Sequence, residues 1–281
     1  LIRKSSRSYM TDTFNLSGKI VLITGAAGLL GRQHAEAVMN HGGSPIIADI
    51  NVEAATQFAS YLNDKFDTSR AYAEYINVID KDTIIKVCNK YEKIDVLINN
   101  AAKDTKVEKA DDLNLDARFE TMSYQYWKED MQVGLDGCFL CSQVVANKML
   151  QNGGGSIINI ASDLSVFAPD QRIYMVDGLP EEKQYVKPAT YSVSKWAILG
   201  LTKYMATYFA HKNIRVNSLS PAGLYNPDLP DEFVSRLTSL IPMRRMGNAN
   251  EYSGAVVFLC SEASKYMTGQ NIIMDGGRSV W

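Results

Sequence analysis

Histidine is scarce in this sequence: His34, His41 and His211 are scattered over 281 residues. No metal constellation is legible from them, because a site needs several ligands at close spacing. Cysteine is nearly as rare, with Cys88, Cys138, Cys141 and Cys260. Cys138 and Cys141 stand three apart in an apolar run, a spacing that suits buried thiols on one helix. Structural packing is expected for all four, and with it a reducing compartment, the cytoplasm. Charge of one sign is also missing. The 29 Lys and Arg against 31 Asp and Glu give a net charge of −2, without the basic stripe that a nucleic-acid surface needs. No apolar run reaches the roughly 18 residues of a membrane span. The start, "LIRKSSRSYMTDTFNLSGK", lacks an apolar core of signal-peptide length. Residues 1–18 are expected to form a flexible tail, with Met10 a candidate initiator.

What is present is an ordinary globular balance, 46% hydrophobic and 21% charged, with ample material for one core. From Lys19 onward, short β-branched runs alternate with helical stretches. Strands are expected at 19–24, 44–49, 71–77, 94–99, 155–161, 214–220 and 270–275. Helices are expected at 30–41, 53–65, 81–91, 127–151, 189–211 and 249–260, with a short one at "DEFVSRL". Continuous apolar strands separated by helices imply a parallel sheet covered on both faces. The reading is α/β: one doubly wound, Rossmann-type domain over 19–281, with about seven strands. Three stretches break the rhythm, 103–126, 163–189 and 221–248. All follow the carboxyl ends of strands, where ligands of open α/β sheets bind, so they are read as substrate loops.

"TGAAGLLG" (24–31) joins the first strand to the first helix, with Gly25, Gly28 and Gly31 at regular spacing. Glycines there let the backbone approach a pyrophosphate, and the helix N-terminus supplies amide donors. Asp49 ends the second strand, 18 residues after Gly31. A carboxylate there accepts hydrogen bonds from an adenosine ribose and repels a 2′-phosphate. NAD is therefore favoured over NADP.

A tyrosine followed four residues later by a lysine occurs at Tyr61/Lys65, Tyr124/Lys128, Tyr191/Lys195 and Tyr208/Lys212. Such pairs share a helix face, and in a chain with 15 tyrosines roughly one arises by accident. Context separates them. The segments "TGAAGLLG" (24–31), "NNAA" (99–102), "GSIINIAS" (155–162), "YSVSK" (191–195), "RVNSLSPAG" (215–223) and "YMTGQNIIMDGG" (266–277) together resemble the short-chain dehydrogenase/reductase family, in its compact single-domain form. The resemblance implies that Ser162, Tyr191 and Lys195 are catalytic, and that Ser162 and Tyr191 also meet the substrate. It further implies cofactor contacts at Gly25, Ala27, Gly28, Leu30, Gly31, Asp49, Asn77, Val78, Asn100, Ala101, Tyr191, Lys195, Pro221, Gly223 and Asn226. The chemistry agrees. Bringing a tyrosine from pKa near 10 to about 7 takes roughly 4 kcal/mol of differential stabilisation of the phenolate. A lysine one turn away and the positive nicotinamide ring can share that task. The other three pairs are read as structural or surface features.

The sequence departs from the family pattern in several places. Leu29 stands where the single-domain enzymes usually have their middle glycine, although the chain ends soon after "DGG", as that type does. Gly134 replaces an asparagine that shapes a bend in the long helix and holds a relay water; glycine permits the bend but offers no side chain. Ala222, Asn226 and Asn77 replace a glycine, a threonine and an aspartate. Ser162 and Tyr191 are 29 positions apart, roughly twice the usual separation. The extra segment, 170–188, carries Arg172, Lys183, Lys187, Tyr174 and Tyr185. These suit a polar or anionic substrate, Arg172 being the named candidate, while a solvated or oligomer-contact loop is the alternative.

The function implied is an NAD(H)-dependent oxidoreductase interconverting a secondary alcohol and a ketone. The glycine string, Gly134 and the insert also look similar to bacterial members tied to surface-carbohydrate or flagellin-glycan synthesis, which leans the substrate towards a sugar or sugar derivative. A non-catalytic NAD-binding sensor or scaffold is the contrasting class. The family's habit implies a homodimer or homotetramer, and the apolar face of 196–209 fits that or packing on the sheet.

Overall fold

A computed structural model describes residues 13–103 and 117–281; most of the predicted 103–126 loop and the start of the predicted tail lie outside the described residues. Seven strands form one sheet: β1 (Ile20–Thr24), β2 (Ser44–Asp49), β3 (Tyr72–Tyr75), β4 (Val96–Asn99), β5 (Gly155–Ile160), β6 (Ile214–Pro221) and β7 (Asn271–Met274). Every pair is parallel, in the order β3-β2-β1-β4-β5-β6-β7. The order reverses between β1 and β4, so their carboxyl ends open the crevice where ligands of doubly wound sheets bind.

The helices that cover this sheet are α1 (Leu29–Asn40), α2 (Val52–Lys65), α3 (Lys81–Lys90), α4 (Tyr124–Met131), α5 (Gly137–Gln151), α6 (Ala189–Phe209), α7 (Asp231–Ser239) and α8 (Ser253–Cys260). Successive strand residues point to opposite faces, and the core divides accordingly. Val21 and Ile23 pack with Val38 of α1, Leu62 of α2 and Val256 of α8. Leu22 packs on the other side with Ile84 of α3, Val145 of α5 and Met205 of α6. Burial on both faces is why the central strands read as unbroken apolar runs. Side-chain caps start several helices where the sequence supplies them: Asn51 accepts from Ala54 N and Asp80 from Asp82 N, each satisfying an amide left without a helical partner.

Two expectations change. The predicted tail is packed down from Thr13 to Gly18: Leu16 is fully buried in the core, and Thr13 O accepts from Ala263 N. The predicted long helix over 127–151 begins at Tyr124 and is interrupted by one wider turn of π-helix, Gln132–Asp136. There the Gly137 amide reaches back five residues to Gln132 O. Gly134 lies in this turn, and a Cβ on it would meet Ser194 Oγ at 3.1 Å and Ser194 Cβ at 3.2 Å. Glycine lets the bend press against α6, and such π turns concentrate at functional sites.

All four thiols are free and buried. By spacing, Cys138 and Cys141 form a C-x-x-C, but burial pushes the Cys138 thiol up to about 12 and raises that of Cys141 as well. These are packing residues, with none of the thiolate character a redox pair requires. No helix among the described residues is long and apolar enough to cross a membrane.

Candidate active site

At the β1 end the loop is shaped by close backbone approaches. Gly25 has φ +62°, and a Cβ on it would lie 2.8 Å from Ala101 Cα. A Cβ on Gly31 would lie 2.4 Å from Gly25 O and 2.6 Å from Ala26 Cα. Neither position accepts a side chain without moving backbone. Asn100 closes the other wall, its amide nitrogen donating to Thr24 O and Gly25 O, both at 3.0 Å. The α1 N-terminus carries no side-chain cap and no acidic residue in its first turn, so its positive end is left for an anion. Asp49 Oδ2 accepts from Ala27 N and Oδ1 from Asn51 N, each at 3.0 Å. The carboxylate thus stands beside the glycine loop, where a ribose would approach. This cradle, with its uncapped amides and adjoining acid, fits a dinucleotide.

The remaining predicted cofactor positions fall on α1 and on the segments at and after the carboxyl ends of β3 and β6. Leu30 is half-buried behind the loop, Asn77 Oδ1 accepts from Ile79 N, and Val78 packs where a Cβ on Gly137 would collide with it. Pro221 ends β6, Gly223 faces Leu237 and Met246, and Asn226 Oδ1 caps a turn through Asp228 N.

The catalytic candidates come from β5 and α6. Ser162, two residues past β5, is 5% exposed, and its hydroxyl donates to Asp163 Oδ1 at 3.0 Å. Lys195 on α6 is also 5% exposed; its ammonium donates to Ile160 O at 2.9 Å and lies 5.8 Å from the centroid of the Tyr191 ring. One side chain thereby ties α6 to the strand end that presents Ser162. Beneath them runs a buried polar network: Asn99 donates to Ser142 and Asn159, and Asn159 to Thr202. A hydroxyl, a phenol and a captive ammonium at one strand end can polarise an oxygen and exchange its proton.

A family model described as enoyl-(acyl carrier protein) reductase matches residues 25–279. The chain belongs to the short-chain dehydrogenase/reductase family. It is 31% identical to an NAD-dependent glycerol dehydrogenase of Listeria innocua, over 95% of this chain and 96% of that one. It is 32% identical to a 3-oxoacyl-[acyl-carrier-protein] reductase of Thermotoga maritima, over 93% and 98%. Among solved structures, a gluconate 5-dehydrogenase from Burkholderia cenocepacia, in complex with NADP and tartrate, superposes with a TM-score of 0.81 at 28% identity, covering 97% of this chain and 99% of that one. As a member of the family the protein is an oxidoreductase that uses a nicotinamide cofactor and acts on alcohol groups of small molecules.

In this dehydrogenase the 170–188 insert is a built element. Ile173 and Tyr174 are buried against Leu237, Ile241 and Met246, and Tyr174 and Phe233 of α7 pack with ring centroids 5.5 Å apart. Gln184 staples the segment internally, bonding to Val176 N, Val176 O and Leu179 O. Arg236 of α7 holds Met175 O and Asp177. Arg172 stands apart: its guanidinium grips Asp170 at 2.6 Å, and its side chain is 82% exposed. Lys187 is the cation that the insert brings inward, its Nζ 3.7 Å from the centroid of the Tyr191 ring.

Two further features escaped the sequence reading. Asp163, beside Ser162, pairs with Arg278 at 3.1 Å, with side chains 4% and 8% exposed. Burial raises the Asp163 carboxyl, and the charge of Arg278 works against that rise. The only sequence signal was an arginine directly after "DGG". Lys187 also stands four positions before Tyr191, the mirror image of the spacing to Lys195, with Pro188 between it and the helix.

Proposed function

We propose that this chain is an NAD(H)-dependent dehydrogenase of a secondary alcohol, in which Tyr191 is the general acid/base. The observation that carries this reading is the captive Lys195 ammonium, bonded to Ile160 O at 2.9 Å and near the Tyr191 ring. In oxidation the Tyr191 phenolate takes the proton of the substrate hydroxyl while the carbon loses hydride; in reduction it returns that proton. A bound nicotinamide supplies the hydride acceptor or donor. Lys195 holds the phenolate form down in pKa and binds the nicotinamide ribose. Ser162 turns its hydroxyl from Asp163 to the substrate oxygen as charge develops there. Gly134 has no side chain to hold a relay water, so the proton leaves through solvent or another group.

Asp49 supports NAD over NADP; the glycerol dehydrogenase is named NAD-dependent, whereas the gluconate 5-dehydrogenase structure contains NADP. The names glycerol dehydrogenase and gluconate 5-dehydrogenase support a polyhydroxylated substrate, a sugar or sugar derivative, recognised partly by 170–188. Retention of serine, tyrosine and lysine speaks against a non-catalytic sensor, which needs none of them. Val193, Trp196, Tyr204 and Tyr208 are 42%, 50%, 66% and 51% exposed along α6, and we assign that face to a homodimer or homotetramer. Four buried free thiols fit a cytoplasmic protein.

The test is NADH formation against a panel of polyols, hydroxy-sugars and simple alcohols, with wild type and Tyr191→Phe. Wild-type turnover that vanishes in the variant is expected. Turnover undiminished in the variant would sink the mechanism. A wild type that binds NADH tightly but turns over nothing would favour the sensor.

A further inference from the structure

The ring of Tyr191 has two ammonium groups near it, and the one closer to its centroid is not Lys195. Lys187 Nζ stands 3.7 Å from the ring centroid, against 5.8 Å for Lys195 Nζ. The backbone of Lys187 is fixed on both sides by one residue: its N–H donates to Gln171 Oε1 at 2.9 Å, and its carbonyl accepts from Gln171 Nε2 at 3.1 Å. Pro188 follows as the N-cap of α6, and its ring fixes the local backbone. Lys187 itself is half-buried. The insert therefore delivers this lysine to the ring from an anchored backbone.

We propose that Lys187 is a second cation acting through Tyr191, favouring its phenolate form. The proposal rests on Tyr191 being the proton-transfer residue. A cation over an aromatic face is attracted by the ring quadrupole, and far more strongly once the ring carries the delocalised charge of a phenolate. Lys195, anchored to the end of β5, lies near the same ring, so two ammonium groups share it.

Acids on neighbouring elements are partnered or face solvent. Asp163, next to Ser162, would oppose ionisation of the phenol, but Arg278 neutralises it at 3.1 Å. Asp130 of α4 accepts from Thr190 at 2.7 Å and pairs with Lys103 at 3.2 Å. Asp136 of the π turn is exposed to solvent. Cys138 stays a neutral thiol, pushed up to about 12 by burial. Lys187 thus adds a positive charge beside the ring, while Asp163 and Asp130 have partners of their own. It also gives the insert a role in the chemistry as well as in the shape of the pocket.

The experiment is a pH titration of ring-13C-labelled tyrosine in the full chain, with and without NAD, in which the Tyr191 resonance is identified by its absence from Tyr191→Phe. Lys187→Met is expected to raise the Tyr191 midpoint by about one pH unit, the lower end of shifts caused by an opposite charge at this range. Lys187→Arg keeps the charge and should stay near wild type. In turnover, Lys187→Met should lower kcat/KM for alcohol oxidation about tenfold below the wild-type midpoint, with the loss fading once the pH exceeds the variant's own midpoint. An unmoved midpoint, or a loss independent of pH, overturns the proposal. So does a KM increase confined to carboxylate- or phosphate-bearing substrates with the midpoint unchanged, which would make Lys187 a substrate-anion contact. Full activity in Tyr191→Phe would instead remove the proton-transfer reading, while the resonance titration would still report whether Lys187 and Tyr191 are coupled.

Discussion

Tyr191 and Tyr208 stand on the same helix, each four residues before a lysine, and their surroundings are opposite. Lys212 is nearer to its ring than Lys195 is, 4.5 Å against 5.8 Å. Yet Tyr208 is 51% exposed, whereas Lys195 is 5% exposed and bonded to Ile160 O. The pairs Tyr61/Lys65 and Tyr124/Lys128 also bring ammonium and ring to 5.6 Å and 5.0 Å. Proximity is thus what the spacing delivers everywhere. Burial turns it into chemistry, because water weakens the attraction several-fold at equal distance and salt screens it further. The two ends of α6 differ in dielectric and in what their lysines hold, and the sharpest way to test that contrast is to change both ends identically.

Tyr191→Phe should lower kcat for alcohol oxidation by about 10² to 10⁴-fold, the range of a lost general acid/base, with NADH binding retained in a fluorescence titration. Tyr208→Phe should leave kcat where it was. Equal losses in the two variants would break the comparison.

The same contrast extends to ion pairs. Arg278–Asp163 is buried and Arg172–Asp170 is on the surface. Arg278→Met leaves a carboxylate uncompensated in the interior and should cost about 3 to 5 kcal/mol, read as a lower urea midpoint. It should also loosen Ser162, whose hydroxyl rests on Asp163. Arg172→Met should leave the midpoint unmoved, since exposed pairs contribute little. Similar shifts in both variants would mean that burial is not the deciding variable.

Burial without any partner is the third case. His34 on α1 is fully buried, neither ring nitrogen has a hydrogen-bond partner among the described residues, and burial pushes its imidazole down to about 4 from 6.5. Below pH 6.5 the unfolded chain binds a proton that the folded chain refuses, so stability falls as the pH drops from 6.5 towards 4. The loss should approach about 3 kcal/mol at the lower end. His34→Leu should flatten that slope in urea titrations at successive pH values, and a slope unchanged by the substitution would assign it to other groups.

The order of strands and helices was legible because continuous apolar runs and the helical stretches between them reflect only local packing, and β2 was read to the residue. A bend at position 134 is implied by the resemblance, but its form, a π turn lying against Ser194, was not legible, because that contact spans 60 positions in sequence. Ser162, Tyr191 and Lys195 are candidates drawn from motifs in the sequence, whereas Arg278 meets Asp163 only once the sheet has formed. Similarly, the cation chosen from the insert was Arg172, and the one turned towards Tyr191 is Lys187. Composition names the candidates in a loop, but only the staple of Gln171 and Gln184 decides which of them faces inward.

The smallest expected effect concerns Asp49, where an acid is half-buried, as the Lys195 ammonium is wholly so, but committed to backbone amides. If burial and anchoring give a charge its function, this carboxylate should act on a ligand as Lys195 acts on a phenol. Asp49→Asn keeps the shape and one acceptor oxygen, and removes the charge that would repel a 2′-phosphate. The ratio of kcat/KM for NAD over NADP should fall about tenfold, equivalent to about 1.4 kcal/mol of discrimination. Asp64→Asn, at the far end of α2, serves as the matched control and should leave the ratio intact. A wild type that already prefers NADP would overturn the cofactor assignment. An unchanged ratio in Asp49→Asn would show that discrimination is made by shape at the glycine loop, where Gly25 and Gly31 leave no room for side chains.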